Sequence, residues 1–208
     1  MSNKPLKIYL GDLTYDTITI STNSFPLNIG YIGSYCIKCF GPKVDVTLFK
    51  YIEDLEQAIT TSPPDVLGLS NYCWNQNISH EMFNLFHDKN PNGVTIWGGP
   101  NIPGIKSHQE EWLKDFPDVD VYVPLEGEVG FSNIVESILQ EKDRTEMRKN
   151  ISEKYIDACI IKGSDDTFHF AAPAKRPREL DEIPSPYLTG LMDKFFDGRL
   201  DPYIQALS

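Results

Sequence analysis

Short apolar runs and amphipathic stretches alternate along the first 140 residues of the chain. Strands are predicted at 6–10, 44–49, 65–70, 94–97 and 119–123. Helices are predicted between and after them, at 27–40, 52–60, 77–89, 107–115 and 130–140, from apolar residues at helical spacing. Strands that alternate with helices of these lengths form a parallel sheet with helices on both faces. The run 65–70 is apolar throughout, so it is predicted as a central strand buried on both sides.

The pattern changes after residue 140. Segment 141–154 is charged and is predicted as surface, and 155–162 with 167–171 is predicted as a β-hairpin. Residues 172–187 are proline-rich and are predicted as a linker, and 189–200 as one amphipathic helix. The predicted fold class is therefore a flavodoxin-like α/β domain over residues 1–140, a doubly wound parallel five-stranded sheet in the order 2-1-3-4-5. A second part, 141–208, holds the C-terminal β-hairpin and linker.

Two predicted strands end in residues that favour a ligand site. The central strand turns polar and aromatic at Ser70, Asn71, Tyr72 and Trp74, and the next strand ends at Gly98-Gly99. Open α/β sheets bind ligands at the carboxyl ends of their strands. Glycine lets a backbone approach a bulky group without an intervening side chain. These strand ends therefore predict a ligand shelf.

Composition and charge narrow the function classes. The chain has 208 residues, with 19 basic against 30 acidic side chains and a net charge of -11. Nucleic acids and anionic membranes require clustered Lys and Arg, so both partners are disfavoured. No apolar leader or membrane-length run is visible, and with four cysteines this indicates a reducing, cytoplasmic setting.

Several short motifs give only weak evidence for a metal, flavin, dinucleotide or phosphoacceptor site. Cys36 and Cys39 have a zinc-like spacing, but no second pair exists, so helix-core cysteines are favoured over a metal site. The hydroxyl-rich stretch 19–24 resembles a flavin phosphate loop but lacks the glycines that expose N–H groups to an anion. No dinucleotide-binding glycine motif follows the first strand, and Ser70 stands where a phosphoacceptor receiver domain would place its aspartate.

Two pairs of larger side chains have alternative interpretations. Glu126 and Glu128 are either a catalytic acid pair or, as helix-start preferences favour, groups that cap a helix and complement its dipole. Trp74 and Trp97 are either core residues or, as their positions at strand ends favour, the lining of an apolar pocket.

Five sequence blocks resemble one known family. They are 26–32 (PLNIGYI), 64–75 (PDVLGLSNYCWN), 98–101 (GGPN), 126–128 (EGE) and 183–190 (IPSPYLTG). In this order they look like the N-terminal cobalamin (B12)-binding domain of cobalamin-dependent radical S-adenosylmethionine (SAM) enzymes, and the likeness covers nearly the whole chain. The resemblance implies a corrinoid-binding module of such an enzyme, a methyltransferase, that is not catalytic alone.

The resemblance also implies a set of cofactor contacts. Ser70, Gly98 and Gly99 would surround the nucleotide tail of the corrinoid, with the loop from Asp12 to Asn28 near the corrin face. The full set is Asp12, Leu13, Thr14, Asn28, Gly30, Ser70, Asn71, Tyr72, Trp74, Gly98, Gly99, Pro100, Asn101, Glu126 and Gly127. No catalytic or metal-ligating residue is expected within the chain.

The sequence departs from the family pattern in two motifs, which changes what is expected of the cobalt ligand and of the iron–sulfur cluster. The D-x-H-x-x-G motif, whose histidine ligates cobalt, is absent after Asp12, so no protein imidazole is expected below cobalamin. The C-x-x-x-C-x-x-C motif for a 4Fe–4S cluster is also absent, and the chain is expected to be a piece of something longer. The cluster, SAM and a radical SAM barrel would be supplied in cis or in trans. The alternative is a flavodoxin-like interaction domain that has lost cobalamin, or that binds a flavin or nucleotide.

Overall fold

The computed structural model describes residues 4–14, 25–124, 126–141, 143–173 and 180–196. Within these residues the chain forms one sheet and six α-helices. The strands are Leu6–Thr14 (β1), Val44–Tyr51 (β2), Val66–Ser70 (β3), Val94–Gly98 (β4), Val121–Val123 (β5), Ile160–Lys162 (β6) and Phe168–Phe170 (β7). The helices are Leu27–Phe40 (α1), Ile52–Thr61 (α2), Gln76–Lys89 (α3), Lys106–Lys114 (α4), Gly127–Gln140 (α5) and Met147–Ser152 (α6).

The sheet has seven strands in the order β2-β1-β3-β4-β5-β6-β7. The first five strands are parallel in the predicted order 2-1-3-4-5, whereas β6 and β7 are antiparallel additions. The prediction of a five-stranded sheet with a separate hairpin is therefore wrong in strand number. Pairing with β6 covers the backbone N–H and C=O groups that an edge strand β5 would leave open. The domain division at residue 140 stays a prediction, although the β5–β6 hydrogen bonds cross it.

Helices cover both faces of the sheet, and each face has its own apolar core. The face of β1 that carries Ile8 and Leu10 packs against α1, α5 and α6. The face that carries Tyr9 and Leu69 packs against α2, α3 and α4. Neighbouring residues of a strand enter opposite cores because their side chains point to opposite sides.

Three expectations on single elements are corrected by the structure. Strand β1 continues to Thr14, so Asp12 belongs to a strand rather than a loop. Segment 141–154 contains α6, whose Met147 and Ile151 are buried in the core. Residues 189–196 form turns with a short 3-10 helix at Asp193–Phe195 instead of an amphipathic α-helix. Parts of the predicted polar loop and linker, at 15–24 and 174–179, lie outside the described residues, as does the rest of the predicted last helix, 197–200.

In the part of the chain that the structure describes, no helix is both long and apolar enough to span a bilayer.

Candidate functional site

A cavity of about 390 Å³ opens at the carboxyl ends of the parallel strands, between the sheet and helices α1 and α5. Its lining residues are Leu10, Asn28, Ile29, Ile32, Gly68, Leu69, Ser70, Tyr72, Ile96, Gly98, Gly99, Pro100, Val123, Glu126, Gly127, Glu128 and Phe131. Buried apolar side chains dominate this lining, and the polar groups lie at the ends of strands and the starts of helices. Ligand sites typically combine an apolar cleft with a few placed polar groups, so this cavity is the candidate site.

Glycines shape the inner part of the cavity. Gly68 on β3 pairs with Leu10 on β1 and with Ile96 on β4. A Cβ atom at Gly68 would lie 2.8 Å from Leu10 Cδ2 and 3.0 Å from Phe131 Cε2. The missing side chain therefore allows Leu10 and Phe131 to meet over the central strand. At the mouth, a Cβ atom at Gly127 would lie 2.7 Å from Ile32 Cδ1, so this glycine allows α1 and α5 to approach.

A chain of hydrogen bonds supports the polar side of the cavity. The Ser70 hydroxyl donates to Asp12 Oδ1, and Asn75 Nδ2 donates to Ser70 Oγ at 3.0 Å. Asn75 Oδ1 in turn accepts the Tyr72 N–H at 2.8 Å. Asn28 on α1 donates to the Tyr72 hydroxyl at 3.4 Å, which joins the helix to the loop after β3. Ser70 thus has its proton engaged and keeps acceptor capacity toward a ligand.

Two ionisable groups lie at the end of β1 and β2. Burial raises the pKa of Asp12 above its ordinary value, while the Ser70 hydroxyl, the Lys50 ammonium and Asn28 oppose the rise. Burial lowers the pKa of Lys50 to about 8, and the Asp12 carboxylate opposes this shift. Each group is held near the other because an isolated charge is costly in an apolar environment.

A second polar network fixes the loops after β3 and β4. Asn71 is fully buried and donates through Nδ2 to the Asn101 carbonyl at 2.9 Å and to the Tyr122 hydroxyl at 3.1 Å. That hydroxyl donates to the Gly99 carbonyl at 2.8 Å, and burial raises the pKa of Tyr122. Asn101 Nδ2 also donates to Gln76 Oε1 at 2.7 Å. Asn71, Asn101, Tyr122 and Gln76 therefore support the rim of the cavity from behind, and only Gly99 of this network is itself in the lining.

The structure brings some of the residues predicted from sequence together at the cavity and leaves others away from it. In the lining are Asn28, Ser70, Tyr72, Gly98, Gly99, Pro100, Glu126 and Gly127. Behind the lining are Asp12, Asn71 and Asn101, through the hydrogen bonds above. Away from the lining are Leu13, Thr14, Gly30 and Trp74. Whether any of them contacts a cofactor stays a prediction.

The predicted residues outside the lining have other surroundings. Leu13 is buried in the core on the opposite face of the sheet. Gly30 faces Pro186 and Met192 rather than the cavity. Trp74 is half exposed and stacks on Tyr72, with ring centroids 4.5 Å apart. Trp97, which was also predicted to line the pocket, is fully buried on the α4 face against Trp112, so that prediction is wrong.

The sequence interpretation missed the apolar part of the lining. The additional residues are Leu10, Ile29, Ile32, Gly68, Leu69, Ile96, Val123 and Phe131. Glu128, which the sequence analysis considered only as a cap or catalytic acid, also lines the cavity. Leu10, Gly68 and Ile96 occupy paired positions on neighbouring strands. A glycine in the middle of an otherwise apolar central strand was the signal available in the sequence, because such a residue often marks a close approach.

Two carboxylates lie at the mouth of the cavity. Glu126 is the N-cap residue of α5, but its side chain makes no capping hydrogen bond, so the capping interpretation is wrong for it. Glu128 lies in the first turn of the helix, where a negative charge complements the helix dipole. Helix α5 begins at Gly127, three residues before the predicted start.

The cysteines do not gather into a site. Cys36 is buried in the core as expected, whereas Cys39 is exposed, which corrects its assignment to the helix core. Among the residues that the structure describes, no group of three or more His, Cys, Asp or Glu side chains is arranged to hold a metal ion.

Two curated proteins match the sequence significantly. The 2-(S-pantetheinyl)-carbapenam-3-carboxylate methyltransferase of Streptantibioticus cattleyicolor is 31% identical over 140 residues, which are 66% of this chain and 18% of that protein. The cobalamin-dependent radical SAM methyltransferase TokK of Streptomyces tokunonensis is 30% identical over 130 residues, which are 62% of this chain and 17% of that protein. The chain is homologous to part of the cobalamin-dependent radical SAM methyltransferases. This confirms the resemblance drawn from the five sequence blocks.

The chain spans less than a fifth of the length of these relatives. No protein-family model matches it. Among solved structures, the cobalamin-dependent SAM radical enzyme OxsB with aqua-cobalamin and SAM bound has a TM-score of 0.65 at 17% identity. That similarity covers 93% of this chain and 26% of OxsB, and at this identity it concerns the fold.

Proposed function

We propose that the chain is a corrinoid-binding module, and that the cavity between the sheet and α1 and α5 holds the nucleotide tail of cobalamin. The observation that carries the proposal is the cavity itself, about 390 Å³ of largely apolar space at the carboxyl ends of β1, β3, β4 and β5. It lies in the size range of small-molecule sites. The homology to cobalamin-dependent methyltransferases supports the same ligand.

The shape of the cavity suits one part of the cofactor. We infer that this slot takes a flat nucleotide base between β3 and the two helices, because the corrin ring is wider than such a slot. Gly68 and Gly98 border this slot on the sheet side, and Ile29 and Ile32 border it on the helix side. The ring would then lie across the strand ends near Tyr72 and Pro100.

The charges at the site favour this ligand over the flavin or nucleotide alternative. The lining includes Glu126 and Glu128 but no Lys or Arg among the described residues. The terminal phosphate of flavin mononucleotide or of a free nucleotide carries close to two negative charges at neutral pH and would meet carboxylates at the mouth with no basic partner, whereas the phosphodiester of the cobalamin tail carries only one. Tyr72 and Trp74 also stack on each other beside the opening and do not fill it, so the cavity remains available to a ligand.

We further propose that the module acts with a radical SAM domain, in cis or in trans, because the matched relatives are several times longer than this chain. When bound, cobalamin supplies a cobalt atom that can carry a methyl group. The 4Fe–4S cluster and SAM would belong to the other domain, because the given sequence contains no C-x-x-x-C-x-x-C motif for the cluster. All four cysteines are free thiols, which supports a reducing, cytoplasmic setting.

The decisive experiment is a visible-absorbance titration of the full chain with hydroxocobalamin. We expect a saturable spectral change. Ile32→Trp should raise the dissociation constant by roughly tenfold or more, because the indole occupies space that the tail requires. Ile37→Trp is the matched control, since Ile37 lies on the same helix, is exposed and is not part of the lining.

Three outcomes decide the matter. Saturable binding that Ile32→Trp weakens and Ile37→Trp does not would support the tail site. Equal weakening by both variants would exclude the cavity as the site. Absence of any spectral change in folded wild-type protein, together with saturable binding of flavin mononucleotide in a parallel titration, would overturn the corrinoid proposal in favour of the alternative.

A further inference from the structure

Residues 180–196, called here the strap, pack along the side of α1 that faces away from the cavity. Met192 and Phe195 are buried in the same apolar core as Leu10 and Phe131 of the cavity lining. The strap also contacts the edge strand, where the Lys194 ammonium donates to the Leu48 carbonyl and lies 4.6 Å from the Phe49 ring centroid. The strap is thus part of the packed domain rather than a free linker.

The strap packs closely against α1 at two glycines of the helix. A Cβ atom at Gly30 would lie 3.0 Å from both Met192 Sδ and Pro186 Cβ, so its near neighbours all belong to the strap. A Cβ atom at Gly33 would lie 2.9 Å from Leu191 Cδ2. Side chains at these two positions would force the strap away from the helix, because contacts this short exceed ordinary van der Waals approach.

Polar and aromatic contacts extend along the same helix. Ser34 Oγ lies 3.3 Å from Thr189 Oγ1, and Lys38 Nζ donates to the Glu182 carbonyl at 2.6 Å. Just before the helix, Phe25 contacts the rings of Tyr187 and Phe196, with centroids 6.0 and 4.9 Å away. The strap therefore contacts the region of α1 from its start to its last turn.

Helix α1 depends on such tertiary support. It contains two glycines and several β-branched residues, and both types lower helix propensity. Its N-cap residue is Pro26, which provides no side-chain cap, and its first turn carries no acidic residue. Short helices with weak intrinsic propensity are stabilised mainly by packing.

These contacts place α1 between the strap and the cavity. Asn28, Ile29 and Ile32 line the cavity, whereas Gly30, Gly33 and Ser34 contact the strap. We propose that the strap is a positioning element of the ligand site, which holds α1 against the cavity and thereby sets the affinity for the bound corrinoid. The inference rests on the proposed function for its ligand. The positioning of α1 itself can be measured without any ligand.

The test displaces the strap from the full-length chain. Gly30→Leu introduces a side chain where Pro186 and Met192 now pack, and Gly104→Leu is the matched control because nothing lies within 4 Å of a Cβ atom there. We expect Gly30→Leu to accelerate amide hydrogen exchange in α1 by roughly tenfold while α3 is unchanged. The dissociation constant for hydroxocobalamin should rise by roughly tenfold, mainly through faster dissociation.

A second variant weakens the same contact by substitutions in the strap instead of in α1. Thr189→Ala with Leu191→Ala removes contacts to Ser34 and Gly33, and Leu188→Ala is its control because that side chain is 91% exposed. Tryptic cleavage after Lys194 reports release of the strap. Faster cleavage with faster exchange confined to α1 would support the proposal.

Three results would overturn it. Release of the strap without a change in α1 exchange would show that the helix holds its place alone. Equal acceleration in α1 and α3 would indicate general destabilisation rather than positioning. Unchanged cleavage in both variants would show that these contacts do not hold the strap against α1. If wild-type protein fails to bind hydroxocobalamin, the proposed function fails, and the exchange measurement still decides the role of the strap.

Discussion

Glycines in and around the site serve three separate purposes that the sequence does not distinguish. Gly68 makes room for Leu10 and Phe131 inside the core, and Gly30 makes room for the strap. Gly99 has a φ of +139°, a conformation that side chains disfavour, and a Cβ atom there would lie 2.5 Å from the Asn71 carbonyl oxygen. The double glycine was interpreted as a close approach to a ligand, yet for Gly99 the backbone geometry alone requires glycine.

The first prediction at this scale concerns Gly99→Ala. The new methyl group would combine a disfavoured φ with a clash against the Asn71 backbone, so the free energy of unfolding should fall by about 2 kcal/mol or more. Urea denaturation measures this loss. Gly104→Ala, in open space, should change it by less than about 0.5 kcal/mol. Equal stability of the two variants would contradict the assigned role of Gly99.

Lys50 and Asp12 give a second prediction, on pH dependence. The pKa of buried Lys50 is lowered to about 8 in the folded chain from 10.5, first by burial. Between these two values the unfolded chain binds more protons than the folded chain, so stability should rise with pH in this window. Asp12 has the opposite sign, because its raised pKa favours the folded state at low pH and this contribution is lost as pH rises.

Lys50→Met tests the assignment. Methionine keeps much of the length and removes the titration, so the free energy of unfolding of wild type relative to the variant should increase by about 2 kcal/mol between pH 8 and 10. Urea denaturation at a series of pH values measures the difference. Parallel pH profiles for the two proteins would show that Lys50 titrates normally.

At the level of elements, the sequence pattern predicted the parallel strands and the five helices between and after them, because those elements carry strong local periodicity. It missed α6, since the charged residues of 141–154 hide the two buried positions Met147 and Ile151. It also assigned a helix to the strap region, where Met192 and Phe195 are spaced as on a helix but are buried by contacts with α1 and β2. Packing against distant residues decides such short segments.

The same limit applies to the site. Polar strand ends are visible in the sequence, so Ser70 and Tyr72 were found. The apolar lining is shared with the core, and only the register between strands shows which of its members face the cavity. Trp97 illustrates the ambiguity, because its strand position is next to the site while its side chain lies on the other face.

At the scale of the whole molecule, the two ends of the parallel strands differ in what they contain. The cavity lies at the carboxyl ends of the strands, and a charged cluster around Asp120 lies at their amino ends. Asp120 Oδ2 accepts the Thr95 N–H at 2.9 Å and lies 3.4 Å from His87 Nε2, and Asp120 Oδ1 accepts the Arg148 Nε–H at 2.6 Å. This cluster joins β4, α3 and α6, so it contributes to stability at a distance from the ligand.

Asp120→Ala tests whether stability and ligand binding depend on different ends of the strands. The substitution leaves the Thr95 amide and the Arg148 guanidinium without their buried acceptor, so the free energy of unfolding should fall by about 3 kcal/mol. Asp118→Ala, whose side chain is more exposed and contacts His87 at 3.5 Å, should cost less than about 1 kcal/mol. Asp120 is at the opposite ends of the strands from the cavity. The dissociation constant for hydroxocobalamin should therefore stay within about twofold of wild type, when it is measured under conditions in which both proteins are folded. A larger loss of affinity would mean that the amino ends of the strands are coupled to the site through the sheet, and that stability and binding are not separable in this fold.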